Sequence, residues 1–238
     1  MTRHEVTLRR VLYEIPGMPS IRVHEHEFAG ADGRPLPLTV YEPTNPIDTP
    51  APVVILLEGY PDPGFVHRIG CRFMDMQWTI SMAQLIAASG LAAITHSNHD
   101  PKADAIALID HVTSRGAKLG VDGTRIGIWA TSGHAPIAVQ MLPRVACAVL
   151  SNPFLPAEYA TLGPRHRPLF IVRSGKDETA GLTPALDAFI HAAINANEPI
   201  TVVNLPDAPH SYDLFYDTPV TRHVLQQGLA FLRVYLAT

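Results

Sequence analysis

Residues 125–142 read Arg125-Ile126-Gly127-Ile128-Trp129-Ala130-Thr131-Ser132-Gly133-His134-Ala135-Pro136-Ile137-Ala138-Val139-Gln140-Met141-Leu142. Ile126 to Ala130 is a short apolar run rich in strand formers, and Thr131 to His134 is a tight turn of mostly small residues. Ala135 to Leu142 suits a helix, with Pro136 in the first turn, where its missing N–H costs nothing. A strand that turns sharply into a helix, with serine at the corner, lifts a hydroxyl above the sheet edge, near free amides that stabilise negative charge. The stretch therefore predicts a nucleophile elbow centred on Ser132. The flanks of such a turn must be small because strand and helix pass close together. Ala130 meets that demand, and His134 meets it poorly.

The rest of the chain alternates in the same way. Val53 to Leu57, Leu91 to Thr95, Ile126 to Ala130, Ala146 to Leu150, Leu169 to Val172 and Ile200 to Leu205 are continuous apolar runs, as expected of parallel strands covered on both faces. Between them, helices are predicted over Phe73 to Ser89, Ala103 to Leu119, Ala185 to Asn197 and Val220 to Leu236. Thr183-Pro184 and Thr218-Pro219 each read as an N-cap followed by proline. Earlier, Ile21 to Phe28 and Leu36 to Tyr41 alternate polar and apolar residues around the turn Gly30-Ala31-Asp32-Gly33, which suggests an antiparallel edge. The pattern predicts an α/β fold: a mostly parallel, doubly wound sheet with helices on both faces, in one domain spanning residues 1–238. Ser151 to Arg167 holds only 17 residues and three prolines, which leaves little or no cap.

Composition narrows the function. With 47% hydrophobic and 17% charged residues the chain can bury a large core, and a net charge of −4 offers no basic footprint for nucleic acid. No apolar run reaches the roughly 20 residues that span a bilayer, and the N-terminus lacks the apolar stretch of a signal peptide, so a cytoplasmic protein is expected. The two cysteines, Cys71 and Cys147, imply no disulfide framework, although one bridge between them stays open. A homodimer also stays open.

In an open α/β sheet, ligands bind beyond the carboxyl ends of the strands. Three residues fall there, each after a different strand: Ser132, Asp177 in Ser174-Gly175-Lys176-Asp177-Glu178, and His210 in Asp207-Ala208-Pro209-His210. Together they can run acyl transfer. The imidazole takes the hydroxyl proton, and the carboxylate fixes the tautomer and stabilises the imidazolium. Taken singly, Asp177 reads as a turn residue and His210 as one of 12 histidines; the specificity lies in the combination. A tetrahedral oxyanion needs N–H donors. Gly133 is expected to supply one, and in the loop Glu58-Gly59-Tyr60-Pro61, which otherwise reads as an ordinary Pro/Gly turn, Tyr60 is the best candidate for the other, since Pro61 has none.

From about Ile21 to the C-terminus the chain resembles the α/β-hydrolase superfamily, and within it the small dienelactone-hydrolase-like and esterase members. IGIWATSG resembles the elbow, SGKDE the acid turn, DAPHSYDLF the histidine loop and LLEGYP the oxyanion loop. The resemblance implies a triad of Ser132, Asp177 and His210, oxyanion donors Tyr60 and Gly133, no cofactor, and a small-molecule ester as substrate. Two positions depart from the pattern: Glu58 stands where the family often has His, and His134 replaces the second Gly of the elbow. Dienelactone hydrolases proper use Cys at the elbow, so Ser132 favours serine esterase chemistry. Glu58, His134, His96 and Phe154 are the residues expected against substrate. His96 and His99, with His24 and His26, lack an identifiable third ligand, so no metal is expected. The alternatives are a non-catalytic small-molecule-binding protein of the same fold, for which Glu58 and His134 speak, and an acyltransferase or thioesterase using the same triad.

Overall fold

The computed structural model describes residues 3–161 and 167–237. Eight strands form one sheet in the order β1-β2-β4-β3-β5-β6-β7-β8. They are β1 (Arg22–Ala29), β2 (Pro35–Glu42), β3 (Ala51–Leu56), β4 (Ala92–His96), β5 (Val121–Thr131), β6 (Cys147–Ser151), β7 (Leu169–Lys176) and β8 (Ile200–Pro209). The β1–β2 and β2–β4 pairs are antiparallel, and all other neighbours are parallel. The helices are α1 (Asp62–Ile69), α2 (Gln77–Ala88), α3 (Pro101–Leu119), α4 (Ala135–Met141), α5 (Leu182–Asn195), α6 (Tyr212–Phe215) and α7 (Pro219–Leu236). This is the α/β-hydrolase fold, with helices on both faces and no large cap evident among the described residues.

Most of the apolar runs become strands because both faces are covered, and successive residues serve opposite faces; β8 differs from that expectation, since it is the edge strand and is largely exposed. Ile55 and Leu57 pack with Leu108, Val112, Ala138 and Phe189 on the side of α3, α4 and α5. Val54 and Leu56 pack with Met82, Leu85, Leu229 and Leu232 on the side of α2 and α7. Each such fully buried Leu or Ile contributes roughly 1.5–3 kcal/mol. Trp78 and Trp129 belong to the second core.

Several local expectations change. The helix read over Phe73 to Ser89 is interrupted at Met76, which is extended (φ −71°, ψ 141°). Phe73–Asp75 is instead a 3₁₀ turn closed by the Arg72 guanidinium on both Asp75 oxygens, at 2.7 and 3.0 Å. Thr183 does not cap α5: Gly181, at φ 76°, makes the turn, and Pro184 lies in the first helical turn, where no N–H is required. Thr218 does cap α7, accepting the Thr221 N–H at 3.1 Å. Cys71 and Cys147 are separate buried thiols, so no bridge forms. Part of the short segment between β6 and β7, residues 162–166, lies outside the described residues. Among the described residues, no helix is long and apolar enough to cross a membrane.

Candidate active site

The carboxyl ends of β3, β5, β7 and β8 carry the candidate residues. Chain order reverses where β4 and β5 flank β3, and such a switch point opens a crevice. Ser132 follows β5 directly and has φ 50°, a left-handed conformation that a non-glycine residue adopts at a cost of about 1–3 kcal/mol. A 3₁₀ turn, Ser132–His134, then leads into α4. The Ser132 carbonyl accepts the Phe154 N–H at 3.0 Å, which ties the segment after β6 to the elbow.

Asp177 and His210 follow the paired strands β7 and β8. Their register shifts between Ser174 and Lys176: Ser174 pairs with Leu205, but Lys176 pairs with Pro209. The irregularity sets Asp177 beside His210, and His210 Nδ1 donates to Asp177 Oδ2 across 2.6 Å. The Asp177 side chain is fully buried, whereas the imidazole is 31% exposed. Asp177 Oδ1 accepts the Thr179 N–H at 2.9 Å, so both carboxylate oxygens are held. With Nδ1 engaged, Nε2 is the nitrogen left for chemistry.

The loop after β3 packs directly on the elbow. A Cβ at Gly59 would come within 2.7 Å of His134 Cα, and a Cβ at Gly133 would overlap the Tyr60 hydroxyl at 1.7 Å. At Gly59 the obstacle is backbone, so only glycine fits, whereas a side chain at Gly133 would require the Tyr60 ring to swing aside. Asn98 Nδ2 donates to the Tyr60 carbonyl at 3.1 Å, and Asp62 Oδ2 accepts from both the Ser97 hydroxyl and the Asn98 N–H. The loop is thus fastened to the segment after β4.

Of the four residues expected against substrate, only Phe154, 36% exposed, lies at the surface. Glu58, His96 and His134 are buried. His96 Nε2 accepts the Glu58 N–H at 3.4 Å, and burial lowers its pKa. His134 is enclosed by Phe73, Phe65 and Tyr60, and burial, with a smaller contribution from His96, pushes its imidazole down to about 3. Neither Glu58 oxygen has a hydrogen-bond partner. Burial, then the neighbouring Asp62 charge, pushes its carboxyl up to about 10. Tyr60 is 41% exposed. His24 pairs with Glu42 at 3.1 Å out on β1 and β2. Among the described residues, no group of three His, Cys, Asp or Glu side chains is placed to hold a metal.

Sequence reading missed a further buried carboxyl, Asp213, which accepts from Trp78 Nε1 at 2.8 Å and is pushed by burial up to about 6. It also missed the Asp62–Ser97–Asn98 fastening. The signals were present in the polar run Ser97-Asn98 at the end of a strand and in Asp213, three residues beyond His210.

No protein-family model matches the chain, and no curated protein matches it significantly. Solved structures do resemble it. A bacterial heroin esterase superposes with a TM-score of 0.74 at 14% identity, covering 95% of this chain and 88% of that one. Esterase LipW from Mycobacterium marinum gives 0.73 at 17%, covering 92% and 83%. A thermostable esterase from Pseudomonas putida gives 0.69 at 16%, covering 94% and 85%. The likeness establishes the α/β-hydrolase fold.

Proposed function

We propose that the protein is a serine hydrolase that cleaves carboxylic esters of small or medium acyl groups through an acyl-enzyme on Ser132. The observation that carries this reading is the 2.6 Å His210–Asp177 bond, formed at the strand ends where Ser132 occupies its left-handed turn. His210 Nε2 takes the Ser132 proton as Oγ attacks the ester carbonyl. The oxyanion is met by the amides of Gly133 and Tyr60. The imidazolium, stabilised by Asp177, returns the proton to the leaving alkoxide. Water then attacks the acyl-enzyme, with the same base, and frees the acid. No cofactor enters these steps.

Among members of the fold, the residues most resemble the dienelactone-hydrolase-like and serine esterase branch, and the esterase names of the structural neighbours support ester chemistry. Burial of Glu58 and His134 weakens the case for a retired, ligand-binding site, since neither side chain stands in the way of Ser132. A thioester or a transfer to another acceptor would use the same machinery, and a panel of p-nitrophenyl esters, thioesters and anilides separates these. The deciding experiment is intact-mass labelling with a fluorophosphonate. One adduct on the wild type that is lost in Ser132→Ala supports the reading. A folded wild type that takes no adduct refutes it.

A further inference from the structure

His134 stands where an elbow calls for a small residue, and its ring does something a glycine cannot. The Gly59 N–H donates to His134 Nδ1 across 2.8 Å, from a loop 75 positions away in the chain. The ring lies 4.4 Å from the Phe73 centroid and meets Tyr60 edge-on at 5.1 Å, so it has no freedom to turn away. Gly59 has no side chain of its own to restrain its backbone, and glycine backbones are intrinsically permissive. The restraint comes instead from both flanks. His134 holds the Glu58–Gly59 peptide, and Asn98 holds the Tyr60 carbonyl at 3.1 Å. The peptide between them carries the Tyr60 N–H.

We propose that His134 is a positioning residue for the oxyanion hole: its neutral Nδ1 accepts the Gly59 amide and thereby aims the adjoining Tyr60 N–H at the carbonyl attacked by Ser132. The proposal rests on the esterase reading for its catalytic half. His134 follows Gly133 directly, so one short stretch provides one oxyanion donor and aligns the other. A neutral ring is required because an imidazolium has no acceptor nitrogen. The low pKa of His134 keeps it neutral through the working pH range.

The test uses two variants and one measurement that needs no activity. His134→Phe keeps an aromatic ring and removes the acceptor. His134→Asn places an amide oxygen near the position of Nδ1. Turnover of p-nitrophenyl acetate and inhibition by a trifluoromethyl ketone are measured for each. His134→Phe is expected to lose about a hundredfold in kcat, the scale of a displaced or missing oxyanion donor, with KM changed less than about twofold. Ketone affinity falls in step with kcat, which a general loss of packing would not produce. His134→Asn is expected to regain about tenfold or more of that loss. In ¹⁵N-labelled wild type, a scalar coupling across the hydrogen bond should link the Gly59 amide to His134 Nδ1, with slow exchange of that amide. Wild-type kcat in His134→Phe, equal impairment in both variants, or absence of the coupling overturns the proposal. If His134→Phe does not fold, the coupling and His134→Asn decide. A wild type that hydrolyses no ester sinks the esterase reading by itself, and the coupling still reports on the clamp.

Discussion

Glu58 makes folding take up a proton. Its carboxyl is wholly buried, has no hydrogen-bond partner and is pushed from 4.5 up to about 10. In the unfolded chain it ionises near its ordinary value. The folded state therefore binds the extra proton between those limits. A raised carboxyl pKa gives a contribution fully present below about pH 4.5 and lost as pH rises towards about 10. The slope is about 1.4 kcal/mol per pH unit, or roughly 3 kcal/mol between pH 6 and pH 8. Glu58→Gln keeps the shape and cannot ionise, so the variant should gain stability over wild type by that amount across the interval. Urea unfolding of both proteins at pH 6, 7 and 8 measures it, and other titrating groups cancel in the difference. A difference that does not change with pH would mean that Glu58 is ionised in the folded protein, and the reasoning would fail.

Asp213 behaves similarly on a smaller scale. With its carboxyl raised from 3.8 to about 6, stability is lost as pH rises through that window, and Asp213→Asn should be more stable at pH 8 by up to about 3 kcal/mol but equal near pH 3, as thermal melts would show. Ser132→Ala and His210→Ala should each lower kcat by roughly 10⁴-fold or more, and Asp177→Asn by about 10⁴-fold, with melting temperatures close to wild type. Gly59→Ala forces a methyl to within 2.7 Å of His134 Cα and should cost about 1–3 kcal/mol along with most ester turnover. Burial pushes the Cys147 thiol up to about 12 and raises Cys71 as well, so a thiol reagent should label neither cysteine before denaturant unfolds the protein.

The parallel strands were legible because a strand covered on both faces favours an unbroken apolar run, and Val53 to Leu57 and Leu169 to Val172 are too short for core helices. The strand-end placement of Ser132, Asp177 and His210 was legible for a related reason: each lies in the polar or small-residue stretch that follows such a run. Helix α1 was not. Pro61-Asp62-Pro63-Gly64 looks like a turn, yet proline suits a helix start, and Gly70 at φ 88° ends the helix. The start of β5 was also hidden, since Val121 to Arg125 is polar and joins the sheet across a shift opposite Pro52 and Val53. Least legible was which polar residues face inward. His134 is buried because Phe65 and Phe73, far away in sequence, close over it, and no local pattern encodes such an encounter.

The shift between β7 and β8 has a consequence for how this protein tolerates change. With the present residues in unbroken register after Ser174 and Leu205, the Lys176 backbone would pair with Asp207, which it now reaches only through its side chain at 2.7 Å, and His210 would lie two positions beyond Asp177. The additional residues spanned between Leu205 and Pro209 close that gap. The dyad therefore depends on spacing as well as on identity. A substitution at Pro206 or Asp207 leaves that count intact, and deleting both would let β8 pair in unbroken register with Pro209 still opposite Lys176. The strand could therefore shed its two extra residues as a pair, and it is the gain or loss of a single residue, which turns every following side chain to the opposite face, that relatives with the same chemistry should avoid.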